Sequence, residues 1–496
     1  MLRRSATDKH ASRQCTDLLP LSRSMLAVGC VLFGTLICPA QTVSAGLSTQ
    51  VDAPSAVRGT NPLMGSVPGK FVPGVLPLSL QDAVSRGLRQ NLGLLLSRAD
   101  TQRARGQRWQ RLSALLPHVT ASPSIAVAKT NLDQLGFSAV ASDFHLPSSN
   151  GPFSYFDARA EVAQSLFDWK SISAARAAGE SVKSADYSLQ DAYDLVVLVV
   201  GNVYLQAIAS EARVQTDEAQ VAAAQALYDQ AADQVRAGTA ADIDALRTKV
   251  ELQTRQQQLI QARNDLAIQK LMVARVIGLS PGQEFDLADK SPYQPFTAIA
   301  LEDALKRAYE SRSDYRAGMA DVRAAELSRQ AAIAGYLPSL SFNADYGTGG
   351  AHPSNATEVY NLRGTLSIPI FTGGSVHGDI QQAGARLEQS RDRLENLRAQ
   401  IDADVRTALL NVQSAEQQVI VARSNIDLAD QTLNQSRDRF TAGVTDSVEV
   451  VQSQEAVASA HERFISSLYN YNFAKFSLIR AMGLGEQGVK QYFQEQ

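Results

Sequence analysis

The chain has 496 residues, 45% of them hydrophobic and 20% charged, which excludes a disordered or fibrous polymer and leaves room for more than one core. Its 47 Lys and Arg against 50 Asp and Glu leave a net charge of −3, so no nucleic acid is expected as a partner, because binding a phosphate backbone calls for a net basic surface. With 2 Trp and 6% aromatics, the composition suits narrow helix-on-helix seams rather than a thick globular core.

Residues 1–45 read as a secretory signal peptide. Arg3, Arg4, Lys9, Arg13 and Arg23 precede an uncharged run from Met25 to Cys38, and Val43-Ser44-Ala45 supplies the small residues expected before a cut at Gly46. Pro39 and Gln41 end the run short of the roughly 20 apolar residues a membrane anchor needs. Cys15, Cys30 and Cys38 all lie in this leader, so the mature protein is expected to have no disulfide and no thiolate chemistry. Cys38 follows Ile37 rather than a small residue, which argues against acylation. No stretch beyond Ala45 reads as a spanning helix, so a mature membrane protein would have to use β-strands.

The strongest signal is an internal duplication. Leu80, Asp82, Ala83, Arg86, Leu116 and Pro117 recur as Leu301, Asp303, Ala304, Arg307, Leu337 and Pro338, each 221 positions on. Further along, Gly238, Arg275, Gly278 and Leu279 recur as Gly443, Arg480, Gly483 and Leu484 at a spacing of 205. Phe167 pairs with Phe371, which places nearly all of the difference in a longer loop of the first copy, between Pro117 and Phe167.

Each copy begins with a helix and then carries two amphipathic strands. In the first, Val119, Ile125 and Val127 mark one strand, and Phe156, Ala158, Ala160, Val162 and Leu166 alternate with Asp157, Arg159 and Glu161 in the other. In the second, Leu340, Phe342, Ala344 and Tyr346 alternate with polar residues, and so do Leu362, Leu366, Ile368 and Ile370. Each strand is about the 9–11 residues that cross a bilayer at a tilt. Four strands cannot close a membrane barrel, whose smallest examples have about eight, so spanning strands would require oligomerisation. The connections from Ala128 to Pro152 and from Thr348 to Glu358 read as loops, outside the cell if the strands span.

After each strand pair comes a heptad stripe. Leu394, Ile401, Ala408, Val412, Val419, Ile426, Leu433 and Phe440 step by sevens with one four-residue stutter, and Leu189, Val196, Val203, Ala207, Val214, Val221, Tyr228 and Val235 repeat that pattern. No Pro interrupts Gly374 to Phe440, which predicts a helix about 100 Å long. Taken alone, the heptads would equally serve a periplasmic coiled-coil adaptor or structural protein; the duplicated strand pair is what such a scaffold lacks.

The order of these parts resembles the TolC family of outer-membrane efflux and secretion channels, from about Leu78 to Leu484. The resemblance is carried by Leu337-Pro338 before a strand, Phe371-Thr372-Gly373-Gly374 after one, Arg439-Phe440-Thr441-Ala442-Gly443 at the helix turn, and Ala481-Met482-Gly483-Leu484 at the end. The first copy departs from it at Phe167-Asp168-Trp169-Lys170, where the glycines are missing. The resemblance implies a mainly α protein with membrane β: a homotrimer in which a long coiled-coil α-barrel in the periplasm joins a 12-stranded β-barrel in outer-membrane lipid, four strands per chain. It also implies a periplasmic adaptor (membrane fusion) protein and an inner-membrane transporter as partners in tripartite efflux or type I secretion. The chain then divides into the signal peptide (1–45), an N-terminal periplasmic segment (46–77), a first repeat (78–279), a collar linker (280–298), a second repeat (299–484) and a C-terminal tail (485–496). The linker, the N-terminal segment and the tail would form an irregular collar.

No enzyme, cofactor or metal site is expected. The pattern Gly483-Leu484-Gly485-Glu486-Gln487-Gly488 mimics a dinucleotide fingerprint, but too few residues follow it for a βαβ unit. Gly373-Gly374-Ser375-Val376-His377 lacks the last glycine of a nucleophile elbow, and the histidines after the leader have no zinc-ligand spacing. The candidate functional residues are those of the periplasmic mouth. Asp446 with Glu449, and Thr239 with Asp242, have capping-box spacing. Glu449, Asp446, Asp244 and Asp242 are also the candidate pore constriction, where like charges converging in a trimer would attract cations. The turns Ala237-Gly238-Thr239 and Ala442-Gly443-Val444 are the candidate adaptor-docking sites.

Overall fold

The computed structural model describes residues 65–131, 149–289, 293–296 and 299–493. The signal-peptide assignment and the middle of the first long loop therefore lie outside the described residues. The first copy runs β1 (Leu76–Leu78), α1 (Leu80–Gln90), α2 (Leu92–Ser113), β2 (His118–Asn131), β3 (Ser149–Phe167), α3 (Trp169–Arg236), α4 (Asp242–Ile277) and β4 (Phe285–Leu287). The second runs α5 (Leu301–Ser311), α6 (Ser313–Ile333), β5 (Ser339–Gly350), β6 (Thr357–Ser367), α7 (Ser375–Thr441), α8 (Ser447–Ala481) and α9 (Gly485–Phe493).

Local chemistry sets the boundaries. Ser79 caps α1 by accepting from the Asp82 amide at 3.1 Å, and Asn91 caps α2 through the Leu94 amide. The copies break their first helix alike: Asn91 N–H donates to the Gly87 carbonyl, and Arg312 N–H donates to that of Ala308. At 68 and 67 residues, α3 and α7 are each about 100 Å long. Such lengths are stable because a continuous apolar stripe is covered along them. In α7 the heptad residues Ile401, Ala408, Val412, Val419, Leu433 and Phe440 are buried, and Leu394 and Ile426 are half-buried. In α3, Val196, Ala207 and Val214 are buried as the heptad predicts, but over the last turns the burial shifts to Ala224, Leu227 and Ala231. There Leu227 meets Leu433, Phe440 and Val450 of the other copy.

Near the strands, α2 packs on α3, α3 on α6 and α6 on α7; in the other half, α4 packs on α3, α3 on α8 and α8 on α7. Two cores lie along this layer. One gathers Leu78, Val84, Leu94, Val196, Tyr204 and Ile277, and the other gathers Ala308, Ile401, Val405, Tyr471, Leu478 and Met482. Phe476 of α8 belongs to the first core and so ties the copies together. Gly201 admits its ring, since a Cβ there would stand 2.5 Å from Phe476 Cε1.

The sheet has order β2-β3-β5-β6 and is antiparallel throughout, leaving β2 and β6 as its edges. Its register aligns Val119, Val162, Ala344 and Leu362 in one row and Thr120, Glu161, Asp345 and Asn361 in the next. Successive rows alternate between the two faces, so one face is apolar and the other polar.

Several expectations need correction. β2 and β3, at 14 and 19 residues, exceed a minimal spanning strand, so the ends expected as loop continue the strands: past an irregularity at Lys129 and Gly151-Pro152, Thr130 pairs with Asn150 and Asn131 with Ser149. The second loop is also shorter than expected, because β5 continues to Gly350, β6 starts at Thr357, and a 3₁₀ turn over Pro353–Asn355 lies between. Ile368 and Ile370 fall beyond β6, since Pro369 has no N–H for the ladder. The tail past Leu484 is helical as α9, and the collar contains a parallel β1–β4 pair, so neither is wholly irregular. Where the first copy lacks the glycine turn, Asp168 alone separates β3 from α3 and caps the helix through the Lys170 amide at 2.9 Å. Finally, α3 contains a stretch as apolar as a spanning helix, contrary to the sequence reading; over half of it is buried as the central helix of the first core.

Candidate functional site

The two helix turns farthest from the strands have the same hydrogen bonds. Gly238 N–H donates to the Val235 carbonyl and Thr239 N–H to that of Gln234; Gly443 and Val444 repeat this onto Phe440 and Arg439. Both glycines are left-handed, with φ of 76° and 70°, a conformation a side chain disfavours. Ala237, Gly238, Thr239, Ala442, Gly443 and Val444 are all exposed, which leaves both turns open to a partner.

The carboxylates behind the turns differ in their surroundings. Asp446 is the cap of α8 and accepts from the Val448 amide at 3.2 Å. Glu449 is not the other half of a capping box. Its Oε2 accepts from Thr445 Oγ1 at 2.5 Å, and its Oε1 lies 3.4 Å from both Ser436 Oγ and Arg439 Nη1. In the first copy, Thr239 and Asp242 form no capping box either: Thr239 Oγ1 donates back to the Gln234 carbonyl, and α4 starts after Ala241 with no side-chain cap. Asp242 is exposed in the first turn of α4. Asp244 is turned inward, where Ser447 Oγ donates to its Oδ1 at 2.6 Å and Arg247 lies 3.7 Å away. This bond links the two returning helices. Sequence reasoning missed Ser447 and Arg439, since neither is acidic, although both lie within the turn segments already singled out.

On the polar face of the sheet, Arg159 bridges Asp157 at 2.6 Å and Asp345 at 3.4 Å, so the charges there are partly compensated. No cluster of His, Cys, Asp and Glu suited to a metal ion occurs among the described residues.

The family model described as "Outer membrane efflux protein" matches residues 83–279 and 304–484. The chain belongs to the outer membrane efflux protein family. The pyoverdine export outer membrane protein OpmQ of Pseudomonas aeruginosa is 24% identical over 69% of this chain and 73% of its own. The outer membrane protein TolC of Escherichia coli is 22% identical over 66% of this chain and 70% of its own. Among solved structures, the outer membrane protein VceC of Vibrio cholerae has the same fold, with a TM-score of 0.70 at 17% identity over 82% of this chain and 96% of its own. Like other outer membrane efflux proteins, the chain is an outer-membrane channel of tripartite efflux or type I secretion, with its helical part in the periplasm. The family is one of transport channels; its members form trimers and work with adaptor proteins and inner-membrane transporters.

Proposed function

We propose that three copies of this chain close into one channel, a 12-stranded barrel above a cylinder of helices. The observation that carries this reading is the pair of unfinished edges. β2 and β6 end the sheet with unpaired backbone, which a bilayer does not tolerate. In the half of the helical layer away from the strands, α4 and α7 are the outermost helices, and each has exposed apolar side chains along it: Leu246, Val250, Ile260 and Leu271 on α4, and Leu410, Val421 and Leu428 on α7. Edges of unlike sequence join head to tail, and a rotation of one third of a turn closes them into a ring.

Within the trimer the polar face of the sheet lines the lumen and the apolar face meets lipid. The mouth is the far end, where Asp446 and Asp242 present carboxylates to solvent while Glu449 and Asp244 are held by their hydroxyl partners. Three copies of Glu449, Asp446, Asp244 and Asp242 form a constriction selective for cations. The turns at Gly238 and Gly443 receive the periplasmic adaptor, through which an inner-membrane transporter supplies the energy. The wall itself does no chemistry; it gives small molecules or proteins a continuous aqueous path.

Planar-bilayer recording tests the constriction. Glu449→Ala is expected to weaken cation selectivity and block by divalent cations, and unchanged values of both would remove Glu449 from the pore.

A further inference from the structure

Beneath the strands, α2, α3 and α6 line an open cleft of about 690 Å³, the size of a small-molecule pocket. Its wall is graded. Leu112, Leu115 and Ile172 lie within six residues of β2 or β3, and Arg108, Arg176, Lys183 and Arg323 lie farther from the strands. Two of these cations are already paired, Lys183 with Glu180 at 2.8 Å and Arg323 with Glu326 at 3.0 Å. Arg108 and Arg176 have no carboxylate in ion-pair range among the described residues. Arg108 reaches across to α3, where its Nε comes within ordinary contact distance, 3.9 Å, of the Cβ position of Gly179.

Neither tryptophan of the chain lines this site, but Trp109 neighbours Arg108 in sequence and Trp169 neighbours Arg176 in space. Trp109 follows Arg108 and is 67% exposed; Trp169, 38% exposed, starts α3 two turns before Arg176, whose guanidinium lies 5.6 Å from its ring centroid. Exposed tryptophans gather at the membrane–water boundary. Arg176 is nine residues past the end of β3, about 13 Å along the helix. Its side chain leans toward the helix N-terminus, hence toward the membrane, and its long stem lets the charge reach the headgroup zone, which is about 5–8 Å deep.

We propose that this cleft binds an acidic phospholipid of the leaflet facing the periplasm, with its phosphate on Arg108 and Arg176 and its acyl chain along Leu112, Leu115 and Ile172. Leu112, Leu115 and Ile172 lie nearer the strands than Arg108 and Arg176, which is the order of such a lipid, tail toward the bilayer and head toward the periplasm, while Glu180 and Asp186 are already paired with Lys183 and Arg105. Two guanidiniums without a carboxylate favour a net-negative headgroup over a zwitterionic one, whose ammonium already balances its phosphate. The inference rests on the strands spanning the outer membrane.

The test uses the full mature chain with Trp109→Phe, so that Trp169 is the one fluorophore of its kind. It is placed in phosphatidylethanolamine vesicles containing a minor fraction of phosphatidylglycerol or phosphatidylethanolamine with brominated acyl chains. Brominated phosphatidylglycerol is expected to quench Trp169 at an about tenfold lower fraction, a preference lost in Arg108→Gln/Arg176→Gln while quenching by both lipids remains. Each single variant should retain part of the preference, and helical circular dichroism checks that each is folded. Equal quenching by the two lipids, or a preference that survives the double variant, overturns the site. Relief of the preference by inorganic phosphate would assign the arginines to a soluble anion and likewise overturn it. Quenching by neither lipid would sink the spanning strands along with the site.

Discussion

Asp194 of α3 lies beside a buried ionic network in which Arg480 Nη2 meets Asp191 Oδ1 at 2.5 Å and Arg312 joins Asp314 and Asp404. Burial pushes the Asp194 carboxyl up to about 6, against the pull of Arg480 and with Asp191 adding to the rise. The folded protein therefore holds this proton more tightly than the unfolded chain does. The resulting stability is complete below about pH 4 and is lost as the pH rises through about 6. Asp194→Asn is expected to stabilise the helical part by up to about 3 kcal/mol near pH 7 and to flatten its stability between about pH 4 and 6, as read by thermal unfolding at several pH values. Gly201→Ala acts in the opposite direction. The new methyl meets the Phe476 ring where the copies join, and a loss of about 1–3 kcal/mol is expected in the same measurement. Neither residue stood out in the sequence, because Gly201 matters through Phe476, 275 positions on, and Asp194 through a burial that only the folded chain supplies.

Among the elements, the strands and the long helices were legible because periodicity is a local property. Alternation marked β5 and β6, and the step of seven marked α3 and α7, down to the buried Ile401 and Val412. Strand ends were less legible. Pro369 stops β6 before Ile368, and the pairing of β2 with β3 continues through residues whose composition suggested a loop. At the mouth, the sequence located the turns and the acids, but capping-box spacing was met by other bonds, since Thr445 and Ser436 reach Glu449 first. The face assignment of β6 gives an expected outcome. Leu362→Arg places a charge on the apolar face near the middle of β6, at a cost of about 2–4 kcal/mol near the bilayer midplane, whereas Asn361→Arg faces water. Trimer yield on unheated gels should fall for the first variant and hold for the second; equal yields would reverse the faces.

At the scale of the whole molecule, the ring closes only if the α4 and α7 edges fit each other. A charge introduced on either edge should therefore lower trimer yield without unfolding the chain. Leu428→Asp, on the exposed stripe of α7, is expected to shift the protein toward monomer in sizing with light scattering while helical circular dichroism is retained. A full trimer from that variant would contradict the proposed edge. This pairing was beyond the sequence because the heptads describe a seam within the chain as readily as one between chains, and only the order α4, α3, α8, α7 shows which apolar residues are left over.

The clasp of β1 on β4 has a bearing on how the chain is made. It pairs Leu76 with Phe285, and Tyr204 Oη donates to the Leu78 carbonyl, so the start of the first copy is held by residues that follow far later. During export the N-terminal strap enters the periplasm early and has no strand partner until residue 287 arrives. Contacts of such long sequence separation form slowly, because loop closure precedes any gain from pairing. The order of synthesis is thus the reverse of the order of closure, and a protease pulse during secretion should find the strap cleavable until the first copy is complete and resistant from then on.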